Sequence, residues 1–143
     1  EVEFSCFWNT RWIDNDSIPH QVWDALDKNG NFNATGYSLM IWGNYLGDKM
    51  LKTTSTVHVR SFASIAPKEN KLFVYLLNKD NVSKEIRLDI PDRKIKSVVQ
   101  AWELFGKDPD DLHPVWKKFR IGKESTRVKL QGTSIAMIEY QLK

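Results

Sequence analysis

Ser5-Cys6-Phe7-Trp8-Asn9-Thr10-Arg11-Trp12 is the stretch on which the fold turns. It reads as an apolar strand that ends in two Trp, an Asn and an Arg, a surface suited to a polar ring with apolar faces. A strand of this kind needs backbone partners on both sides. Nothing ahead of it in the sequence supplies them. The chain is therefore expected to be the tail of something larger.

Working outward, the pattern changes character near residue 52. The loop over 14–19 is rich in Asp, Asn and Ser, as expected beyond the end of a strand. Residues 20–27 are expected to form a helical turn or two, closed by the turn signal Lys28-Asn29-Gly30-Asn31. The spacing then predicts a helix from 34 to about 51. Tyr37, Ile41 and Tyr45 fall on one face, and Leu39, Trp42, Leu46 and Met50 on another. Two apolar faces require burial against two neighbours.

Beyond the helix the period drops to two. Val57, Val59, Ser61, Ala63 and Ile65 alternate with His58, Arg60, Phe62 and Ser64. Further strands are expected over 72–78, 85–90, 95–105, 115–121, 127–130 and 135–142. Turn signals at Lys79-Asp80-Asn81, Pro91-Asp92 and Gly106 separate them. About seven strands at short spacing argue for an antiparallel β-sandwich. The fold class is thus mainly β, with a strand-helix remnant over 1–51 and a sandwich over 52–143.

The bulk composition bounds the function. A chain of 143 residues with 41% hydrophobic content can bury one core, or one small core plus a remnant of another. Six Trp serve either a sugar surface or an ordinary core. Lys and Arg number 21 against 18 acidic residues, well mixed along the chain, which argues against a nucleic-acid-binding surface. The run Lys117-Lys118-Phe119-Arg120 reads as the solvent edge of a strand. A lone Cys6 excludes an intramolecular disulfide. No apolar run is long enough to span a membrane, and no signal peptide is visible. Asn33-Ala34-Thr35 and Asn81-Val82-Ser83 match the glycosylation sequon, a pattern frequent by chance. His20, His58 and His113 are scattered and have no metal-ligand spacing, and no cofactor motif is present.

A strand ending in aromatics, a polar loop, a doubly apolar helix and then a sandwich resembles the last βα unit of a TIM (β/α)8 barrel followed by the small β-domain of clan A glycoside hydrolases. The family 86 β-agarase and porphyranase group is the most similar. The resemblance rests on Phe7-Trp8-Asn9-Thr10-Arg11-Trp12; on Asp24-Ala25-Leu26-Asp27 through Gly30-Asn31 with Ala34-Thr35-Gly36; and on Trp102-Glu103-Leu104-Phe105-Gly106-Lys107-Asp108-Pro109-Asp110-Asp111. Clan A families with xylosidase or arabinofuranosidase activity share the layout.

The resemblance implies the C-terminal part of a retaining, secreted or periplasmic or cell-surface hydrolase acting on an agar- or porphyran-type galactan. Such enzymes need two carboxylates about 5–5.5 Å apart, carried in the clan on the fourth and seventh barrel strands. Neither strand is in this sequence, so no catalytic residue is assigned. Glu1 and Glu3 would lie at the bottom of the barrel, where carboxylates serve stability. Substrate contacts would come from Trp8, Asn9, Arg11 and Trp12. Trp8 is the leading stacking platform, and Arg11 serves either a sulfate or carboxylate of the sugar or a salt bridge with Asp14 or Asp16. The implied partners are a polysaccharide or oligosaccharide and the rest of the barrel, with no nucleic acid and no membrane span. Two other readings stay open: a free-standing carbohydrate-binding sandwich, and an all-β interaction module with no sugar role.

Overall fold

The computed structural model describes residues 24–108, 111, 113–122 and 125–143. Among them lie one α-helix, α1 (Ala34–Asn44), and eight strands: β1 (Lys49–Leu51), β2 (Val59–Ala66), β3 (Lys71–Asn78), β4 (Lys84–Arg87), β5 (Ile95–Phe105), β6 (Val115–Lys118), β7 (Arg127–Leu130) and β8 (Ser134–Leu142). The strand expected over 5–12, the loop over 14–19 and the turn beginning at His20 lie outside the described residues.

Six strands form one antiparallel sheet in the order β1-β2-β3-β8-β5-β6, and β4 pairs with β7 in a second, smaller sheet. The architecture is an antiparallel β-sandwich with a helix laid on the outer face of its larger sheet. One core lies between the sheets. There Val59, Ala63 and Ile65 of β2, Leu72, Val74 and Leu76 of β3, and Ala136, Ile138 and Tyr140 of β8 meet Val128 and Leu130 of β7. The fully buried Leu and Ile of this layer each contribute about 1.5–3 kcal/mol. Burial pushes the Tyr140 phenol well above its ordinary pKa, and its hydroxyl donates to the Ser125 carbonyl at 2.7 Å.

A second core lies under α1. Ile41 packs on Phe73, Tyr75, Leu104 and Met137, with Tyr37 and Tyr45 beside it. The central strands β3 and β8 are therefore covered on both faces. Their sequences Leu-Phe-Val-Tyr-Leu and Ala-Met-Ile-Glu-Tyr read as nearly continuous apolar runs, not as an alternation.

Two expectations need correction. The helix ends at Asn44, not near residue 51, and Lys49–Leu51 instead forms β1 on the sheet edge. The reason is Gly47, which sits against the β2 backbone: a Cβ there would lie 2.5 Å from the Ile65 carbonyl carbon. The Gly47 amide donates to Ser64 Oγ at 2.9 Å, so the chain leaves the helix to dock on the sheet. Residues 24–27 are not helical. Leu26 bridges Phe32, and the Asp27 carboxylate accepts the amides of Asn29 and Asn31, both at 2.8 Å, around the expected turn.

The far end of the sheet is pinned by Asn78, which is fully buried. Its side-chain amide donates to the Val82 and Gln131 carbonyls at 2.9 and 2.7 Å and its oxygen accepts the Asp80 amide at 3.1 Å. Both the β3–β4 loop and the β7–β8 turn are held by this one side chain.

Candidate substrate-side surface

Trp8, Asn9, Arg11 and Trp12 lie outside the described residues. What the structure places is the segment that joins them to the sandwich. Residues 24–33 fold back on the start of α1, with the Asn33 amide donating to the Ala25 carbonyl at 2.9 Å. Gly36 permits this: a Cβ there would meet the Ala25 carbonyl oxygen at 2.1 Å. Phe32 sets its ring edge-on to Tyr37 at 5.5 Å. The Asn31 side-chain amide, 2.9 Å from the Asp27 carboxylate, leads the contacts that hold this carboxyl below its ordinary pKa. Asn33 is buried and its amide donates to the Asp24 carbonyl, so the first sequon offers no acceptor, whereas Asn81 of the second is exposed.

The outer face of α1 is apolar and open. Leu39 and Trp42 are exposed on it, and Leu46, Met50, Phe62 and Phe32 continue the patch on either side. Trp42 also leans inward, its ring centroid 4.5 Å from Tyr75 and 6.0 Å from Phe62. On the face expected to need a second neighbour, Trp42 packs on Phe62 and Tyr75, while Leu39, Leu46 and Met50 are exposed. Isolated exposed apolar side chains are ordinary, whereas several on and beside one helix form an apolar surface.

Beside the N-terminus of α1 is a cavity of about 450 Å³, within the range of small-ligand sites. Thr35 and Ser38 line it from the helix, Ile135 from β8, and Asp108 and Asp111 from the loop after β5. Asp111 caps that loop, its carboxylate accepting the amides of Lys107 and His113, both at 2.9 Å. These two bonds, Lys107 first, hold its pKa below the ordinary range. In the sequence this region is marked by the Asp-rich run after Gly106.

Trp102 and Trp116 pack against the core under α1, not the core between the sheets. They stand on the helix-side face at the β5–β6 edge, half-buried and stacked, with ring centroids 5.4 Å apart and planes 6° from parallel. Trp102 Nε1 donates to Gln100 Oε1 at 2.9 Å, and the Gln100 amide donates to Glu139 at 2.5 Å. His58 faces Asp80 at 3.6 Å, and among the described residues no three His, Cys, Asp or Glu side chains gather as metal ligands. No described helix is long and apolar enough to cross a membrane.

The fold defined by these elements is one found in glycoside hydrolases. Similar structures include a family 51 α-L-arabinofuranosidase from Bifidobacterium longum, at 12% identity and a TM-score of 0.65, covering 77% of this chain and 25% of that one. A family 30 subfamily 8 xylanase from Clostridium acetobutylicum matches at 12% identity and a TM-score of 0.64, over 82% of this chain and 30% of that one. A family 44 endoglucanase from Clostridium thermocellum matches at 21% identity and a TM-score of 0.51, over 68% and 21%. The chain thus spans less than a third of the length of each. No family model matches the chain, and no curated protein matches it.

Proposed function

We infer that the chain is the C-terminal portion of a secreted or cell-surface retaining glycoside hydrolase acting on an agar- or porphyran-type galactan. The observation that carries this is the open apolar face of α1, with Leu39 and Trp42 at its centre. A free-standing binding module has no reason to keep such a face, whereas a helix between a barrel and a sandwich needs it. The likeness of the fold to glycoside hydrolases supports the hydrolase part of this reading.

In this reading the segment ahead of β1 completes a TIM barrel, and the sandwich from β1 onward braces it. Trp8, Asn9, Arg11 and Trp12 sit at the C-terminal end of the last barrel strand, the end where barrel active sites are built. The Trp8 face stacks on the C–H face of a pyranose, and Asn9 and Arg11 bind hydroxyl or sulfate groups. The two carboxylates come from barrel strands ahead of Glu1, so the 143-residue chain alone is inactive.

The test is hydrolysis by the protein with its upstream region, assayed on agarose, porphyran, xylan and arabinan, with the anomer of the product followed by NMR. Cleavage of a galactan with retention, lost in Trp8→Ala and weakened in Arg11→Ala, is the expected result. Cleavage of xylan or arabinan alone would establish the second reading, an arabinofuranosidase- or xylosidase-type enzyme, which the family 51 and family 30 structures favour. Cleavage of none, with sugar binding retained by the 143-residue chain, would establish a non-catalytic carbohydrate-binding sandwich.

A further inference from the structure

The surroundings of the Trp102–Trp116 stack differ from those of an ordinary edge. Lys118 stands opposite Trp102 in the β5–β6 register, and its ammonium lies 5.1 Å from the Trp102 ring centroid. Lys117, on the opposite face of β6, lies over Phe105 at 4.7 Å. Among the described residues no carboxylate comes within ion-pair distance of either lysine. Glu139, an acid on the helix-side face, is already engaged by Gln100 and by Lys71 at 3.4 Å. The outcome is a half-exposed aromatic ledge with a positive charge above it that no described carboxylate pairs, and polar groups alongside.

Edge protection explains part of this. Lysine on a short edge strand discourages pairing with another chain. That role needs charge in solvent, and it gives no reason to expose two stacked indoles beneath the charge, where apolar area costs free energy. An anionic sugar uses both features. The indoles take the C–H face of a pyranose, and Lys118 takes a sulfate by a charge-assisted hydrogen bond.

We propose that Trp102, Trp116 and Lys118 form a surface site for a sulfated galactan on the sandwich. It rests on the galactan reading above. Such a site holds the polymer near the barrel and raises its effective concentration there.

The experiment uses the protein with its upstream region and measures two things on each variant: retention in gels containing porphyran or neutral agarose, and hydrolysis of a short soluble galactan oligosaccharide. Lys118→Gln should weaken porphyran retention about tenfold, the effect of losing one charge-assisted hydrogen bond. It should leave agarose retention and oligosaccharide hydrolysis unchanged. Trp116→Ala should weaken retention in both gels. Lys118 is exposed, so Lys118→Gln decides the matter if Trp116→Ala fails to fold. Unchanged porphyran retention in Lys118→Gln overturns the proposal, as does equal retention by single-stranded DNA, which would make the ledge a general polyanion surface. Absence of galactan hydrolysis in the wild type would instead sink the enzyme reading, a separate outcome on the same plates.

Discussion

The phenol of Tyr75 donates a hydrogen bond to the carbonyl of Tyr45, 30 residues earlier in the chain. Tyr75 also contacts Ser64 Oγ at 3.2 Å, and Ser64 accepts the Gly47 amide at 2.9 Å. Since the phenol proton goes to Tyr45, Ser64 donates to Tyr75. The relay therefore runs from the Gly47 amide through Ser64 and Tyr75 to the end of α1. It satisfies backbone groups at the helix C-terminus that would otherwise be buried without partners.

Tyr75→Phe should cost about 1–3 kcal/mol, because it strands the Tyr45 carbonyl and the Ser64 hydroxyl together. Urea unfolding checks this: the midpoint should fall with no change of slope. A variant as stable as the wild type would show that the relay is incidental.

Two glycines near the end of α1 should respond in opposite directions. Gly47→Ala puts a methyl group 2.5 Å from the Ile65 carbonyl carbon and should destabilise, by about 1–3 kcal/mol. Gly43 lies within the helix and has nothing within 4 Å of a built Cβ, so Gly43→Ala should stabilise by about 0.5–1 kcal/mol. Thermal midpoints of the two variants give the signs directly.

The open face of α1 predicts that the 143-residue chain associates with itself. Leu39→Glu combined with Leu46→Glu should shift its sedimentation toward monomer while changing stability by less than about 1 kcal/mol, since both side chains are exposed. In the protein with its upstream region the same pair should be much more damaging. Equal tolerance in both settings would count against a covered face.

Acid should loosen the loops before the sheet. Asp27, Asp80 and Asp111 are each held below the ordinary carboxylate value of 3.8, by the Asn31 side chain, the Lys84 ammonium and the Lys107 amide respectively. A folded-state pKa below the unfolded one gives stability that is complete above the unfolded value and is lost as pH falls through the folded one. Stability should therefore be level near neutrality and decline below about pH 4. Asp111→Asn should make that decline shallower, as read from urea midpoints at a series of pH values.

Much of the sandwich could be read from periodicity. The bounds of β5 and β7 are those the pattern marks, and Tyr37, Ile41 and Tyr45 do pack inward from α1. The strand Lys49–Leu51 was missed because three residues are too few to show an alternation, and the helical spacing of Leu46 and Met50 ran on through it. The side of the sheet that Trp102 takes is hidden from the pattern for a different reason. Bulges in β5 between Ile95 and Ser97 and between Val98 and Gln100 re-phase the strand. Val98 thus shares a face with Ala101, three residues on, and not with Trp102. The stacked pair also needs Trp116 of a separate strand, a pairing that spacing along one strand does not contain. Trp8, Asn9, Arg11 and Trp12 lie outside the described residues, and their roles rest on the resemblance.

The two-sided burial of β3 and β8 bears on how this protein can be recombined. Side chains from α1 and from the sheet fill one continuous core, and the Gly47–Ser64–Tyr75–Tyr45 relay crosses the same joint. A chimera cut between residues 45 and 58 would split that core and leave both halves unable to close. A graft of this sandwich onto another barrel has to carry α1 and the folded-back segment from residue 24 with it, so the transferable module is the helix and sheet together.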